Sequence, residues 1–144
     1  MLFVYCQEYI AERISTAEQA LVSAREASEN DTKSSAGDKY ETTREMMQQE
    51  INRIQGQLAE ARKLKFMLSS VIPEKEAAIV QNGCLVQTDT GNFFIAISAG
   101  QCRLDDILYF IISNESPFAR AIAGRKAGDS VQFNNKKVTI ISIT

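Results

Sequence analysis

The chain holds 144 residues with 16 Lys and Arg against 18 Asp and Glu, a net charge of −2, so it has no overall basic field of the kind that gathers nucleic acid, and strong direct DNA binding is not expected. The length suits one ordinary domain or two small units. Histidine is absent, which removes the commonest general base, the usual triad partner and the commonest zinc ligand, and no enzymatic activity is expected.

Cys6, Cys84 and Cys102 are odd in number and widely spaced. They form neither a disulfide framework nor a zinc-type pairing, and they read as reduced, buried thiols of a cytoplasmic protein. The apolar run Met1 to Cys6 is short and has no leading positive charge, so it does not read as a signal peptide. No stretch approaches the roughly 18 apolar residues of a membrane span.

From Ile10 the apolar residues recur as Ile10, Ile14, Ala17, Leu21 and Ala24, in alternating steps of four and three, with Glu12, Arg13, Glu18, Gln19 and Arg25 elsewhere. That is the seam of a coiled-coil helix. The pattern fades over Ser28 to Gly37, a run of turn formers with no apolar residue larger than alanine, which predicts a reversal of the chain there. Ser35 suits an N-cap, with Asp38 three residues on to favour the helix N-terminus.

A second seam then runs Tyr40, Met47, Ile51, Ile54, Leu58, Ala61 and Leu68, and Pro73 closes it. Each helix is predicted to hold about 25 to 33 residues, roughly 40 to 50 Å. Joined by a short polar turn, the two must lie antiparallel to hide their narrow apolar stripes. The predicted tip is acidic: Glu26, Glu29, Asp31, Asp38 and Glu41 outnumber Lys33 and Lys39.

After Pro73 the period becomes two. Residues 83–88 and 93–98 read as strands around the turn Asp89-Thr90-Gly91-Asn92, and 108–112 as a third strand. Ser116-Pro117 marks a helix start and Gly124 its stop. Residues 131–133 and 138–141 read as a closing hairpin around Asn134-Asn135. The predicted class is therefore α+β: an N-terminal antiparallel coiled-coil hairpin over residues 1–72, then a small antiparallel β domain with one short helix over 73–144. The expected β core is Leu85, Val86, Phe94, Ile95, Ile111, Val131 and Ile140.

The run Ser116-Pro117-Phe118-Ala119-Arg120-Ala121-Ile122-Ala123-Gly124-Arg125-Lys126-Ala127-Gly128-Asp129-Ser130-Val131 closely resembles the C-terminal signature S-P-I-A-R-A-L-x-G-K-x-x-G-D-x-V of the Gre transcript-cleavage factors. Tyr40 and Arg44-Glu45 look like part of the E-Y-H-A-A-R-E run that opens that family's second hairpin helix. The order of parts is similar too, a coiled-coil hairpin before an FKBP-like β domain.

The resemblance implies a partner, bacterial RNA polymerase. The β domain would be held at the rim of the secondary channel, through Ser116, Pro117, Phe118, Arg120 and Arg125, while the coiled coil enters it. In that family two tip acids in a D-L-x-E-N-x-E-Y run help to hold a catalytic metal. Aligned on Tyr40, the positions of those acids fall on Ala36 and on Thr32 or Lys33. The remaining tip acids, Glu29, Asp31 and Asp38, sit nearby.

The expectation is thus a Gre-like elongation factor without efficient cleavage stimulation. It would need no cofactor and no metal of its own, beyond a Mg²⁺ shared at the tip in complex with polymerase. The alternative is a structural or interaction module whose coiled coil self-associates or binds a helical partner. Prolyl isomerisation is disfavoured, since the chain lacks tryptophan and an FKBP-like fold does not confer that activity.

Overall fold

The computed structural model describes residues 1–34, 38–72 and 77–144, with the side chains of residues 31–34 and 38–40 outside that description. Ser35, Ala36, Gly37 and Pro73, named above for the cap, the tip and the domain boundary, lie outside the described residues. The chain divides into two compact units, one formed by Glu8–Lys65 and the other by Met1–Gln7 with Phe66–Thr144.

The helical unit is carried by α1 (Leu2–Ser34, 33 residues) and α2 (Asp38–Ser69, 32 residues). The seams appear where the periodicity puts them: Ile10, Ala17, Ile51, Ile54, Leu58 and Ala61 are buried, and Ile14, Leu21 and Met47 are half-buried. Among the described residues of this unit, none is buried on α1 beyond Ala17 or on α2 before Ile51, so the apolar seam thins towards the reversal. The helices are tied by Arg62 and Glu18 at 3.8 Å, an exposed pair of little energetic weight.

The polar run from Ser28, within which the reversal was expected, is helical as far as Ser34, so α1 reaches 33 residues, the upper end of the expected length. The physical reason is that Ser, Asn, Asp and Thr each cost only a few tenths of a kcal/mol in a helix once it is nucleated, and no Pro or Gly intervenes before Gly37.

The second unit holds β1 (Leu85–Thr88), β2 (Gly91–Ala96), β3 (Gly100–Leu104), β4 (Ile107–Ser113), α3 (Pro117–Ile122), β5 (Ser130–Phe133) and β6 (Lys136–Ile143). The sheet order is β3-β4-β2-β1-β6-β5. Four of its neighbouring pairs are antiparallel and one, β2 with β4, is parallel, so the α+β class stands with a mixed sheet. The parallel pair arises because β3, a strand the sequence did not announce, takes the sheet edge and β4 folds back from it to fill the place between β3 and β2.

Two two-residue turns make the outer hairpins. Asp105 and Asp106 (φ 50° and 64°) join β3 to β4, and Asn134 and Asn135 (φ 52° and 64°) join β5 to β6, the left-handed pair that matches strand twist and that Asn and Asp tolerate best. The β1–β2 turn is held differently. Buried Thr88 accepts at Oγ1 from the amides of Thr90 and Gly91, each at 3.2 Å, and donates to the Gly91 carbonyl at 2.9 Å.

The core on one side of the sheet is Val80, Cys84, Val86, Ile95, Ala119, Ile122, Val131, Val138 and Ile140. On the alternate face Phe94, Ala96, Cys102 and Ile111 are buried as well. Of the seven expected core residues only Leu85 is half-exposed. Cys6, Leu68 and Val71 are buried members of this unit, which is why its boundary reaches into both long helices. Gly83 cannot be replaced cheaply: at φ 92° a Cβ would stand 2.9 Å from the Ile72 carbonyl oxygen.

Candidate docking surface on the β unit

The run from Ser116 to Val131 folds as helix, stop, turn and strand, and most of its residues are occupied in holding that shape. Ser116 caps α3, its Oγ accepting from the Ala119 amide at 3.3 Å, and Pro117 follows at the first helical position, where its missing N–H costs nothing. Gly124 takes φ 76° beyond the helix. The Gly124 amide donates to the Val80 carbonyl (2.9 Å), and the Val80 amide donates to the Arg125 carbonyl (2.8 Å), pinning the loop to the core. Gly128 donates to Ile140 at 2.7 Å, and the Asp129 carboxylate accepts from the Lys126 amide at 2.8 Å.

Phe118 belongs with the packing. Its ring lies 4.3 Å from that of Phe93 and 5.2 Å, edge-on, from that of Phe133, and Phe93 stacks at 5.3 Å on Phe110. Sequence reasoning offered Phe118 as a contact residue and did not foresee this row of four rings. Its signal was present in the alternation of β2 and β4, since Phe93 and Phe110 are register partners, but the partnering of Phe118 with Phe133 depends on where α3 lands.

What remains free for a partner is narrower than the motif. Pro117, Arg120 and Arg125 are exposed, and Ser116 is half-buried. Among the described residues neither arginine makes an ion pair. The surface therefore offers two guanidinium groups beside a rigid, capped turn, a geometry suited to carboxylates or phosphates.

The tip residues are placed less fully. Glu29 is exposed on α1, Asp31 lies in the last turn of α1, and Asp38 opens α2. Among the described residues no cluster of His, Cys, Asp or Glu is arranged to hold a metal ion, and no helix is long and apolar enough to cross a membrane.

The thiols are buried and free. Burial, and then the nearby Cys102, push the Cys6 thiol up from 9.0 to about 11; burial raises Cys102 as well. A reactive thiolate requires the opposite environment.

Together the two units define an α+β protein in which a long helical hairpin precedes a six-stranded mixed sheet with one short helix. No protein-family model matches the chain, and no curated protein matches it. Among solved structures, one described as the transcription factor Gfh1 is similar at 19% identity, over 94% of this chain and 91% of that one, with a TM-score of 0.39. A likeness at that level adds nothing to the argument for function.

Proposed function

We propose that this chain is a Gre-like accessory protein that docks on RNA polymerase through its β unit and modulates elongation through the secondary channel, without stimulating transcript cleavage efficiently. One observation carries the reading. The run Ser116 to Val131, which resembles the family signature over its whole length, folds as one capped helix, a turn and the start of a strand in the β unit of a chain that opens with two helices of 33 and 32 residues.

In this reading the chain performs no chemistry itself; the polymerase is the enzyme. Arg120 and Arg125 make the polar contacts of docking, while Ser116, Pro117 and Phe118 keep the turn in shape. Cleavage stimulation would require carboxylate oxygens at Mg²⁺ ligand distance, and the positions matching the family acids hold Ala36 and Thr32 or Lys33. A lysine there would repel the cation.

The test is capture of purified RNA polymerase by the full chain, followed by a cleavage assay on stalled elongation complexes. Arg120→Ala is expected to weaken capture about tenfold, as loss of one charged hydrogen-bonding contact predicts, and Asp31→Ala to leave it unchanged. Absence of capture would sink the reading. Robust magnesium-dependent shortening of the RNA, lost in Asp31→Asn or Asp38→Asn, would overturn the claim about cleavage.

A further inference from the structure

Residues 116–137 carry five basic side chains, Arg120, Arg125, Lys126, Lys136 and Lys137, and one acid, Asp129, whereas the rest of the chain carries 11 basic and 17 acidic residues. The overall net charge of −2 thus conceals a local excess of four positive charges. Topology gathers them. Phe118 against Phe133 sets α3 beside the end of β5, and the β5–β6 register places Lys136 opposite Phe133, on the face that carries α3, and Lys137 opposite Gln132, on the other face. At the other end of β5, the Lys126 amide meets the Asp129 carboxylate just before Ser130. The cations therefore bracket a four-residue strand, roughly 10 Å long, at the sheet edge.

All five are exposed, and among the described residues none makes an ion pair. The bordering aspartates are turned onto backbone amides, Asp89 to Thr139 at 2.9 Å and Asp129 to Lys126 at 2.8 Å; Glu115 precedes the cap. Between the cations lie exposed Ser130, Gln132, Asn134 and Asn135, all hydrogen-bonding groups. Of the large exposed apolar side chains only Ile141 belongs to this hairpin.

That composition discriminates between partners. Protein interfaces are anchored by buried apolar and aromatic side chains, and the β5–β6 hairpin, unlike the Pro117 end of α3, has almost none to offer. Nucleic-acid interfaces are polar and strongly positive, with most hydrogen bonds going from Arg, Lys, Ser, Asn and Gln to phosphate oxygens. We infer that the sheet edge formed by β5 and the start of β6, with α3 and Lys136 on one face, Lys137 on the other and Arg120, Arg125 and Lys126 beside it, is a weak, sequence-independent binding site for the phosphate backbone of nucleic acid, whose strands would straddle the edge. It shares two arginines with the docking surface above but does not rest on polymerase binding.

The test uses the full chain and a fluorescein-labelled DNA duplex of arbitrary sequence, read by anisotropy without polymerase. With four or five phosphates engaged, affinity falls with a log–log salt slope of about −3.6 to −4.5, so raising salt fourfold, from about 50 to about 200 mM, is expected to weaken binding roughly 100- to 500-fold. Lys136→Glu with Lys137→Glu is expected to flatten that slope by about two. Lys63→Glu with Lys65→Glu, exposed on α2, changes net charge equally and is expected to alter affinity by no more than about threefold. Unchanged thermal midpoints establish that both variants fold. No saturable binding at low salt, equal losses from the two double variants, or binding to an acidic peptide as tight as to the duplex would each overturn the inference.

Discussion

Replacing Phe118 with alanine separates a structural role from a docking role at the one motif residue where they compete. A fully buried Phe→Ala change costs about 3–5 kcal/mol. Phe118 is half-buried, which lowers the transfer part, but its ring contacts with Phe93 and Phe133 are each worth about 0.5–1.5 kcal/mol beyond area. The expected loss is therefore about 2–3 kcal/mol. For a unit of this size each kcal/mol moves the midpoint about 4–8 °C, so calorimetry of the full chain should show the β unit melting roughly 8–24 °C lower. Phe118→Leu, which keeps most of the apolar volume, should recover more than half of that. A Phe118→Ala protein that melts within about 2 °C of the parent yet fails to bind polymerase would refute the reasoning and make Phe118 a contact residue.

Gly56 sits inside α2, and a Cβ built there meets nothing within 4 Å. Gly56→Ala should therefore stabilise the helical unit by about 1 kcal/mol, through helix propensity and a less disordered unfolded chain, measured by urea unfolding followed by far-ultraviolet circular dichroism; an unchanged or lower midpoint would mean that the helix packs differently around residue 56. The Cys6 thiol supplies a pH dependence with a definite sign. Its folded-state value of about 11 lies above the ordinary 9.0, so the unfolded chain loses that proton first. The associated stability is intact below about pH 9 and is lost as pH climbs from there towards 11. Cys6→Ala should flatten that decline, and an identical decline in the variant would assign it to other groups.

The reach of the sequence is seen at particular residues. Ile10, Ala17, Ile51, Ile54 and Leu58 were legible as a seam because helical periodicity is a local property, repeated often enough to outweigh single exceptions. Ser116, Pro117 and Gly124 were legible because caps and stops are decided within a few residues of chain. The end of α1 was legible only to within the run Ser28 to Gly37, because turn formers lower helix stability only slightly and the preceding turns carry the helix on through Ser34. Strand β3 was missed although Cys102 and Leu104 alternate with Gln101 and Arg103, because so short a run without a β-branched or aromatic residue carries little strand signal. Its marker was the turn, two aspartates between Leu104 and Ile107.

The sequence by itself settled the α+β class, the two long helices, the acidic character of the tip and the absence of the family acids from their aligned positions, since each is a matter of residue identity or of local pattern. Tertiary structure alone decided that β4 inserts beside β2 in parallel, that Cys6 and Leu68 are counted with the sheet rather than with the rest of the hairpin, that Phe118 closes a row of aromatic rings, and that five scattered cations share one sheet edge. These depend on contacts between residues far apart in the chain. Such contacts follow from how a given set of apolar faces can be buried together, and no window of sequence contains that information.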